Sequence, residues 1–320
     1  MTEKVATTEK ATAGGPLYPI REVSRLTGVN SVTLRAWERR YGLIQPQRTP
    51  KGHRLYARQD IERVERILQW LNRGVPVSQV GELLDQAEES ADTPRSHESA
   101  DDSRSTPDHD WEGQRLEAVN AISAFDTARL ENLFTRSMGL YPVNTAIARL
   151  WQPVVERLEQ QWSQHSAPMA QRCFLESFLR TRLGLRLYHG NHENTEPGLL
   201  MSYLPGGCGA LWQLLLAFTA SSAGFHITLF DGPVPLNEMI EAANKKHSGT
   251  IVLSGAREAD VHELRRQLDD TACREVLPIR LAGSVTHKLS DKDEDVKLST
   301  LDSDPARAIA QLRMATARSV

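Results

Sequence analysis

The sequence predicts a multidomain protein with a winged helix-turn-helix, a four-helix bundle and a doubly wound, Rossmann-like α/β domain. Three observations lead to this prediction. Short helical patterns around glycines fill a basic N-terminal segment, and an acidic segment poor in apolar residues follows it. The C-terminal part then changes from helical periodicity to alternating strands and helices. At 320 residues, the chain has room for two or three domains.

The composition is that of a protein with buried cores. Hydrophobic residues make up 40% of the chain and charged residues 25%, which excludes disorder of the whole chain. The sequence has no run of 18 uncharged apolar residues and no N-terminal apolar block, so we expect a cytoplasmic protein without membrane contact. Cys173, Cys208 and Cys273 form no C-x-x-C pair, which favours reduced thiols over disulfides or a cysteine metal site.

Charge is distributed in blocks that indicate domain boundaries. Residues 18–73 hold twelve Lys or Arg against five acids, a net charge of +7, whereas residues 86–113 hold nine acids against two arginines, a net charge of −7. The acidic block cannot bury enough surface to offset its ordering entropy. The predicted parts are a disordered N-terminus (1–17), a winged helix-turn-helix (18–85), an acidic flexible linker (86–113), a helical bundle (114–190) and a Rossmann-like domain (197–320).

The basic block begins with two short helices. Ile20–Thr27 places apolar residues on one helical face, and Gly28 ends that helix. Asn30 or Ser31 then caps a second helix, VTLRAWERRY. In this second helix, we predict apolar contacts with the core for Val32, Leu34 and Trp37. Two short helices around a glycine turn are typical of a helix-turn-helix.

The segment after Gly42, LIQPQRTPKGHRLY, predicts a hairpin wing, and Gln59–Arg73 predicts an amphipathic helix that supports it. A recognition helix places its N-terminal side chains near base edges in the major groove, and a basic wing suits phosphate contact. The predicted DNA-binding residues are Ser31, Thr33, Arg35, Arg39, Arg40 and Tyr41 on the helix, with Arg48, Lys51, His53, Arg54 and Tyr56 on the wing.

These residues carry a family resemblance. YPIREVSRLTGV followed by TLRAWERRYGLIQPQRTPKGHRLY resembles the winged reader of the MerR family of transcription regulators, in the branch that includes MlrA and the cobalamin-dependent, light-sensing repressors CarA, CarH and LitR. The resemblance implies a homodimer that binds double-stranded promoter DNA and acts on RNA polymerase there. It also implies that Arg35 and Arg54 contact DNA, and that Trp37 and Tyr41 pack between the recognition helix and the wing.

The C-terminal part begins with helical patterns and continues with a doubly wound one. We predict helices near 114–124, 126–138 (capped by Asp126), 142–163 (kinked or divided at Pro153) and 168–188 (with Pro168 in its first turn). From Pro197 onward, the apolar runs GLLMSYL, HITLFD, TIVLSGA and PIRLAG predict buried parallel strands that alternate with helices. Ligands of such sheets bind at the carboxyl ends of the strands.

A helical bundle followed by an α/β domain is similar to the domain order of the cobalamin-sensing branch. The motifs of that branch, however, are not kept in this chain. Trp162 matches the bundle tryptophan of that branch, whereas Arg172 and Cys173 stand in the places of its Glu-His pair. That branch also has a cobalt-ligating loop with an acid, a histidine and a glycine. In this chain, the three corresponding positions hold Gly207, Gly209 and Trp212. Ser254 and Gly283 stand at two further positions where that branch has small residues that line the nucleotide tail of cobalamin. Without the imidazole, we expect no cobalamin or other cofactor.

Three roles stay open for the C-terminal part. It could sense a signal, bind a signalling protein or pair subunits; the alternative is a repressor that depends on cobalamin or another small molecule and responds to light. Neither G-x-G-x-x-G nor a P-loop motif is present, and no catalytic constellation is apparent, so we predict no enzyme. His189 and His192 are expected to be ordinary loop histidines rather than metal ligands.

Overall fold

A computed structural model describes residues 16–89, 111–164, 169–194, 196–206, 208–246, 248–257, 259, 264, 266, 278–288 and 299–317. The chain divides into two compact units, Met1–Asp102 and Ser103–Val320. Most of the predicted disordered N-terminus (1–15), most of the predicted linker (90–110) and Pro168 lie outside the described residues.

The first unit is a winged helix-turn-helix, as predicted. Its elements are β1 (Tyr18–Pro19), α1 (Ile20–Thr27), α2 (Ser31–Ala36), a π-helical turn (Trp37–Tyr41), β2 (Gln47–Arg48), β3 (Arg54–Tyr56), α3 (Arg58–Asn72) and α4 (Val77–Glu89). The strands form an antiparallel sheet in the order β1-β3-β2. We did not predict β1, a strand of two residues that pairs with β3. We call the hairpin of residues 47–56 the wing.

The core of the first unit follows the predicted helix faces. In α3, the buried residues are Ile61, Val64, Ile67 and Leu71, spaced as one face of a helix requires. Trp37 and Leu34 are fully buried with them. The supporting helix α3 thus has the position and the apolar face that the sequence predicted.

Helices extend into both ends of the predicted linker. α4 continues to Glu89, and α5 begins at Trp111, whereas the sequence placed the linker at 86–113. Trp111 stacks against Tyr141 with 4.7 Å between ring centroids, a contact that fixes the start of α5. The charge pattern located this segment, but α4 and α5 extend further into it than the pattern predicted.

The bundle of the second unit contains the predicted helices. Its elements are α5 (Trp111–Ser123), α6 (Thr127–Leu140), α7 (Val143–Ala146), a π-helical turn (Ile147–Trp151), α8 (Gln152–Gln164) and α9 (Met169–Glu193). Asp126 caps α6 as predicted, accepting a hydrogen bond from the backbone N–H of Arg129 at 3.0 Å. The π-helical turn ends at Trp151, two residues before Pro153, which has no N–H to continue the regular pattern, so the predicted division is observed.

A five-stranded parallel sheet forms the α/β part. Its elements are β4 (Glu196–Tyr203), α10 (Gly209–Ser222), β5 (Phe225–Leu229), α11 (Leu236–Lys246), β6 (Thr250–Ser254), β7 (Ile279–Ala282), a 3-10 turn (Ser284–Lys288), β8 (Ser299–Thr300) and α12 (Pro305–Ala317). The strand order is β5-β4-β6-β7-β8, so the direction of winding reverses between β4 and β6. The helix predicted between β6 and β7 lies almost wholly outside the described residues.

Helices cover both faces of this sheet. One apolar cluster joins Met201 and Val252 to Ala217 of α10 and Leu312 of α12. The other cluster joins Leu200 and Ile251 to Met239 of α11. The doubly wound fold that the apolar runs predicted is confirmed. Among the described helices, none is both long and apolar enough to cross a membrane.

Candidate functional site

Two glycines and a side-chain cap determine where the recognition helix begins and ends. Gly28 ends α1 with a left-handed φ of 71°, and Asn30 then caps α2, its Oδ1 accepting from the backbone N–H of Thr33 at 2.8 Å. The helical stretch continues through the π-helical turn to Gly42, where φ is 62°. Of the two caps considered from the sequence, Asn30 is the one used.

Basic side chains cover the outer face of this stretch. Arg35, Arg39 and Arg40 are exposed, and Ser31 and Tyr41 are half-buried beside them. Arg35 and Arg39 lie one turn apart, so they share one face of the helix. These five residues therefore form the part of the predicted interface that a DNA duplex can reach on the helix.

Two predicted contact residues are not on the surface. Thr33 and Tyr56 are both fully buried. Burial and the nearby Glu38 carboxylate raise the pKa of Tyr56 to about 12. A buried side chain cannot touch a base edge or a phosphate in this conformation, so we leave both residues out of the proposed interface. Their positions near the helix start and in the wing had suggested contacts, but both point into the core.

Val32 was predicted to be buried but is exposed. From the sequence, we assigned it to the core together with Leu34 and Trp37. Those two are buried, whereas Val32 is 59% exposed. Positions 34 and 37 are three residues apart and share a face, but position 32 lies on the face of Arg35. Val32 is therefore an apolar side chain on the basic face of α2.

Glu38 connects the recognition helix to the wing. Its Oε1 accepts from Nη2 of Arg48 at 2.7 Å, and its Oε2 accepts from Nε of Arg54. Burial alone would raise the pKa of Glu38, but the hydrogen bonds from both arginines hold it below its ordinary value. The carboxylate thus stays charged at neutral pH and fixes the wing against the helix. We did not predict this role from the sequence, because the partners of Glu38 lie ten and sixteen residues further along the chain.

The tip of the wing is exposed and tightly turned. The backbone N–H of Thr49 donates to the carbonyl of His53 at 2.9 Å, and Gly52 adopts a φ of 79°. Lys51 and His53 are exposed at this tip. Arg48 is half-exposed, whereas the side chain of Arg54 is only 19% exposed. The tip residues are better placed than Arg54 for contact with a partner.

A buried carboxylate joins the bundle to the carboxyl ends of the strands in the second unit. Glu159 of α8 is 6% exposed and accepts three hydrogen bonds from neutral donors. The donors are the backbone N–H of Arg257 after β6 at 2.8 Å, Oγ of Ser284 after β7 at 2.6 Å, and Nε1 of Trp212 in α10 at 3.3 Å. We call these four residues the Glu159 cluster. It occupies the sheet edge at which doubly wound folds bind ligands.

Trp212 and the glycines leave little space at this edge. A Cβ added to Gly283 would lie 3.0 Å from Cγ of Trp212 and 2.5 Å from the carbonyl oxygen of Gly255. At Gly209, an added Cβ would lie 3.1 Å from the carbonyl oxygen of Leu204 and 3.3 Å from that of Ser254. Both glycines are therefore in tight contact with neighbouring groups, and Gly207 lies outside the described residues.

On the bundle side, the tryptophan of the motif is hydrogen-bonded within the protein. Nε1 of Trp162 donates to Oε1 of Gln171 at 3.1 Å. Arg172 lies 3.8 Å from Glu176, and Cys173 is exposed. The residues present do not fit cobalamin: no imidazole stands at Gly209, and Trp212 fills the approach to Gly283.

A small cavity lies next to the Glu159 cluster. It measures about 40 Å³, space for roughly three waters. Its lining includes Trp212, Gly283 and Ser284 with Gln152, His287 and Asp302.

Among the described residues, no group of three His, Cys, Asp or Glu could hold a metal ion. His189 and His192, predicted to lie in a loop, lie in the last turns of α9, because that helix continues to Glu193. His192 packs edge-on against Tyr188, with 5.0 Å between ring centroids.

The first unit matches a known family of proteins. Residues 18–87 match the family described as MerR HTH family regulatory protein. The HTH-type transcriptional regulator MlrA of Salmonella typhimurium (strain LT2) is 30% identical over 78% of this chain and 98% of its own length. The chain belongs to the MerR family of transcriptional regulators. It is a DNA-binding regulator of the MlrA-like branch, which confirms the resemblance drawn from the sequence.

Two further relatives concern the C-terminal part. The HTH-type transcriptional repressor CarH of Myxococcus xanthus is 24% identical over 82% of this chain and 85% of its own length. A cobalamin-binding protein from Desulfitobacterium hafniense DCB-2 is 11% identical, over 63% of this chain and 98% of that one, with a TM-score of 0.32.

Proposed function

We propose that this MerR-family regulator binds promoter DNA by inserting the exposed face of α2 into the major groove and laying the wing tip on the phosphate backbone. The observation that carries the proposal is the arrangement of Arg35 and Arg39 on one helical face beside an exposed wing tip. Arginine is the side chain best suited to a bidentate contact with guanine, and Lys51 suits phosphate. Arg54 then acts through Glu38 by positioning the wing.

The regulator must also assemble on its promoter and receive a signal. We propose that the chain acts as a homodimer on a symmetric site in the bacterial cytoplasm and contacts RNA polymerase at the promoter. The second unit would receive its signal from a protein partner or from subunit pairing. This choice is supported by the Glu159 cluster, in which the protein's own side chains and backbone fill the sheet edge.

Replacing Arg35 by alanine tests the placement of α2. We expect the variant to bind its selected promoter sequence roughly 5- to 150-fold more weakly, because one bidentate base contact contributes about 1–3 kcal/mol. Binding to random duplex should change much less, since that term comes from phosphates. The measurement is a gel-shift titration of both duplexes at one salt concentration.

Arg58→Ala is the matched control for this experiment. It removes the same charge from an exposed position on α3, where Arg58 pairs only at the surface with Glu62 at 3.2 Å. We expect near wild-type discrimination from this variant. An equal loss on specific and random DNA in Arg35→Ala would show that Arg35 touches only phosphate, and the proposed placement would be wrong.

A second experiment addresses the cobalamin alternative. After incubation with adenosylcobalamin or hydroxocobalamin in the dark and desalting, the chain should show no corrin absorbance, because Trp212 fills the approach to Gly283. A cobalamin-binding protein treated in parallel controls for loss during desalting. Retained visible bands would contradict this expectation and favour a cobalamin-dependent, light-responsive repressor.

A further inference from the structure

The basic face of α2 carries one apolar side chain in its first turn. Val32 is 59% exposed, while Leu34 and Trp37 on the opposite face are fully buried. A partner that contacts Val32 would bury its apolar area, and this burial is favourable. The fold of the first unit does not use this area, so it is available to a partner that comes to the same face.

The neighbours of Val32 define what that partner is. Arg35 follows it by three residues and Arg39 by seven, so the three side chains form one row along the helical stretch, and both arginines are exposed. A partner that covers this row must be negatively charged beside the arginines and apolar at the end near Asn30. A DNA major groove meets both demands, because only thymine presents a methyl group there.

We propose that Val32 is a specificity-determining residue that reads a thymine through van der Waals contact with its 5-methyl group. This inference rests on the proposed insertion of α2 into the major groove. Val32 lies in the first turn of α2, where a recognition helix brings its side chains closest to base edges. It distinguishes thymine from cytosine at one position of each half-site, next to the base contacted by Arg35.

The test begins with the full-length wild-type chain and a pool of random duplexes. Selection should enrich one sequence motif, and each thymine of its half-site is then replaced singly by deoxyuridine. This replacement removes only the 5-methyl group and keeps the pairing and the groove hydrogen bonds. One such replacement should weaken wild-type binding about fourfold, the effect of one buried methyl group.

Val32→Ala should remove this discrimination. We expect the variant to bind the thymine and deoxyuridine duplexes equally, at about the affinity of wild type for deoxyuridine. Because Val32 is exposed, the substitution leaves the core unchanged. Leu26→Ala is the matched control, since Leu26 is an apolar residue 45% exposed on α1, and this variant should keep the full thymine preference.

The outcomes separate this inference from the proposal on which it rests. If selection enriches no motif, the proposed sequence-specific DNA binding fails. If a motif is enriched but deoxyuridine has no effect at any thymine, or has the same effect on wild type and Val32→Ala, DNA binding stands and the role of Val32 is overturned. A half-site without thymine would overturn it too.

Discussion

Glu159→Ala is expected to lower the free energy of unfolding of the second unit by roughly 3 kcal/mol. The substitution leaves the indole N–H of Trp212 without its acceptor in a buried place, where an unsatisfied donor costs about 1–3 kcal/mol. It also removes the acceptor of the backbone N–H of Arg257, which is only partly buried and therefore contributes less. The hydroxyl of Ser284 can rotate to another acceptor, so it contributes less. The effect is large because one carboxylate serves three separate segments.

Urea unfolding of the full chain, followed by tryptophan fluorescence, measures this loss. Glu156→Ala is the matched control, because Glu156 lies on the same helix and accepts from the side chain of Gln152 at 3.0 Å. Glu156 is only half-buried, so that variant should differ from wild type by at most about 1 kcal/mol, the net contribution of one ordinary hydrogen bond. Equal midpoints for the two variants would show that the Glu159 cluster does not hold the bundle to the sheet.

Gly283→Ala is expected to destabilise the second unit by at least about 3 kcal/mol, or to prevent its folding. Gly283 has a left-handed φ of 88°, which costs any residue with a Cβ about 1 kcal/mol or more. The added Cβ would also lie 2.5 Å from the carbonyl oxygen of Gly255, and backbone atoms cannot move aside as a flexible side chain can. Strain and overlap therefore act together.

The control for this variant is Gly184→Ala. Gly184 lies inside α9, and a Cβ there meets no described atom within 4 Å. Alanine should raise stability at that position by about 0.5–1 kcal/mol through its better helix propensity. Thermal unfolding of both variants beside wild type compares the two effects. A Gly283→Ala chain with the wild-type transition would mean that the loop after β7 relaxes freely, and that the close contact with Trp212 is not required.

Local patterns predicted the elements that surround both sites. The spacing of Ile61, Val64, Ile67 and Leu71 predicted α3, because a helix with one buried face repeats its apolar residues every three or four positions. The continuous apolar runs predicted β4 to β7, since parallel strands are buried on both faces. The glycine after α1 and the cap before α2 predicted the recognition helix. Each of these signals lies within about fifteen residues of chain.

It was harder to predict which side chains of a short helix are buried. α2 has only six residues, and its apolar positions 32 and 34 suit either face of so short a helix. From the sequence, we therefore placed Val32 in the core and Thr33 on the surface, and the structure reverses both. The contact of α2 with the rest of the first unit decides which side is buried.

The sequence by itself determined the family, the order of the main helices and of β4 to β7, the basic face of α2 and the absence of an imidazole at Gly209. Only the tertiary structure decided that Glu38 holds the wing and that Glu159 closes the sheet edge. The partners of Glu159 lie 53, 98 and 125 residues away along the chain. A lone glutamate in an amphipathic helix carries no local signal of such contacts, because its burial is set by which distant loops fold against it.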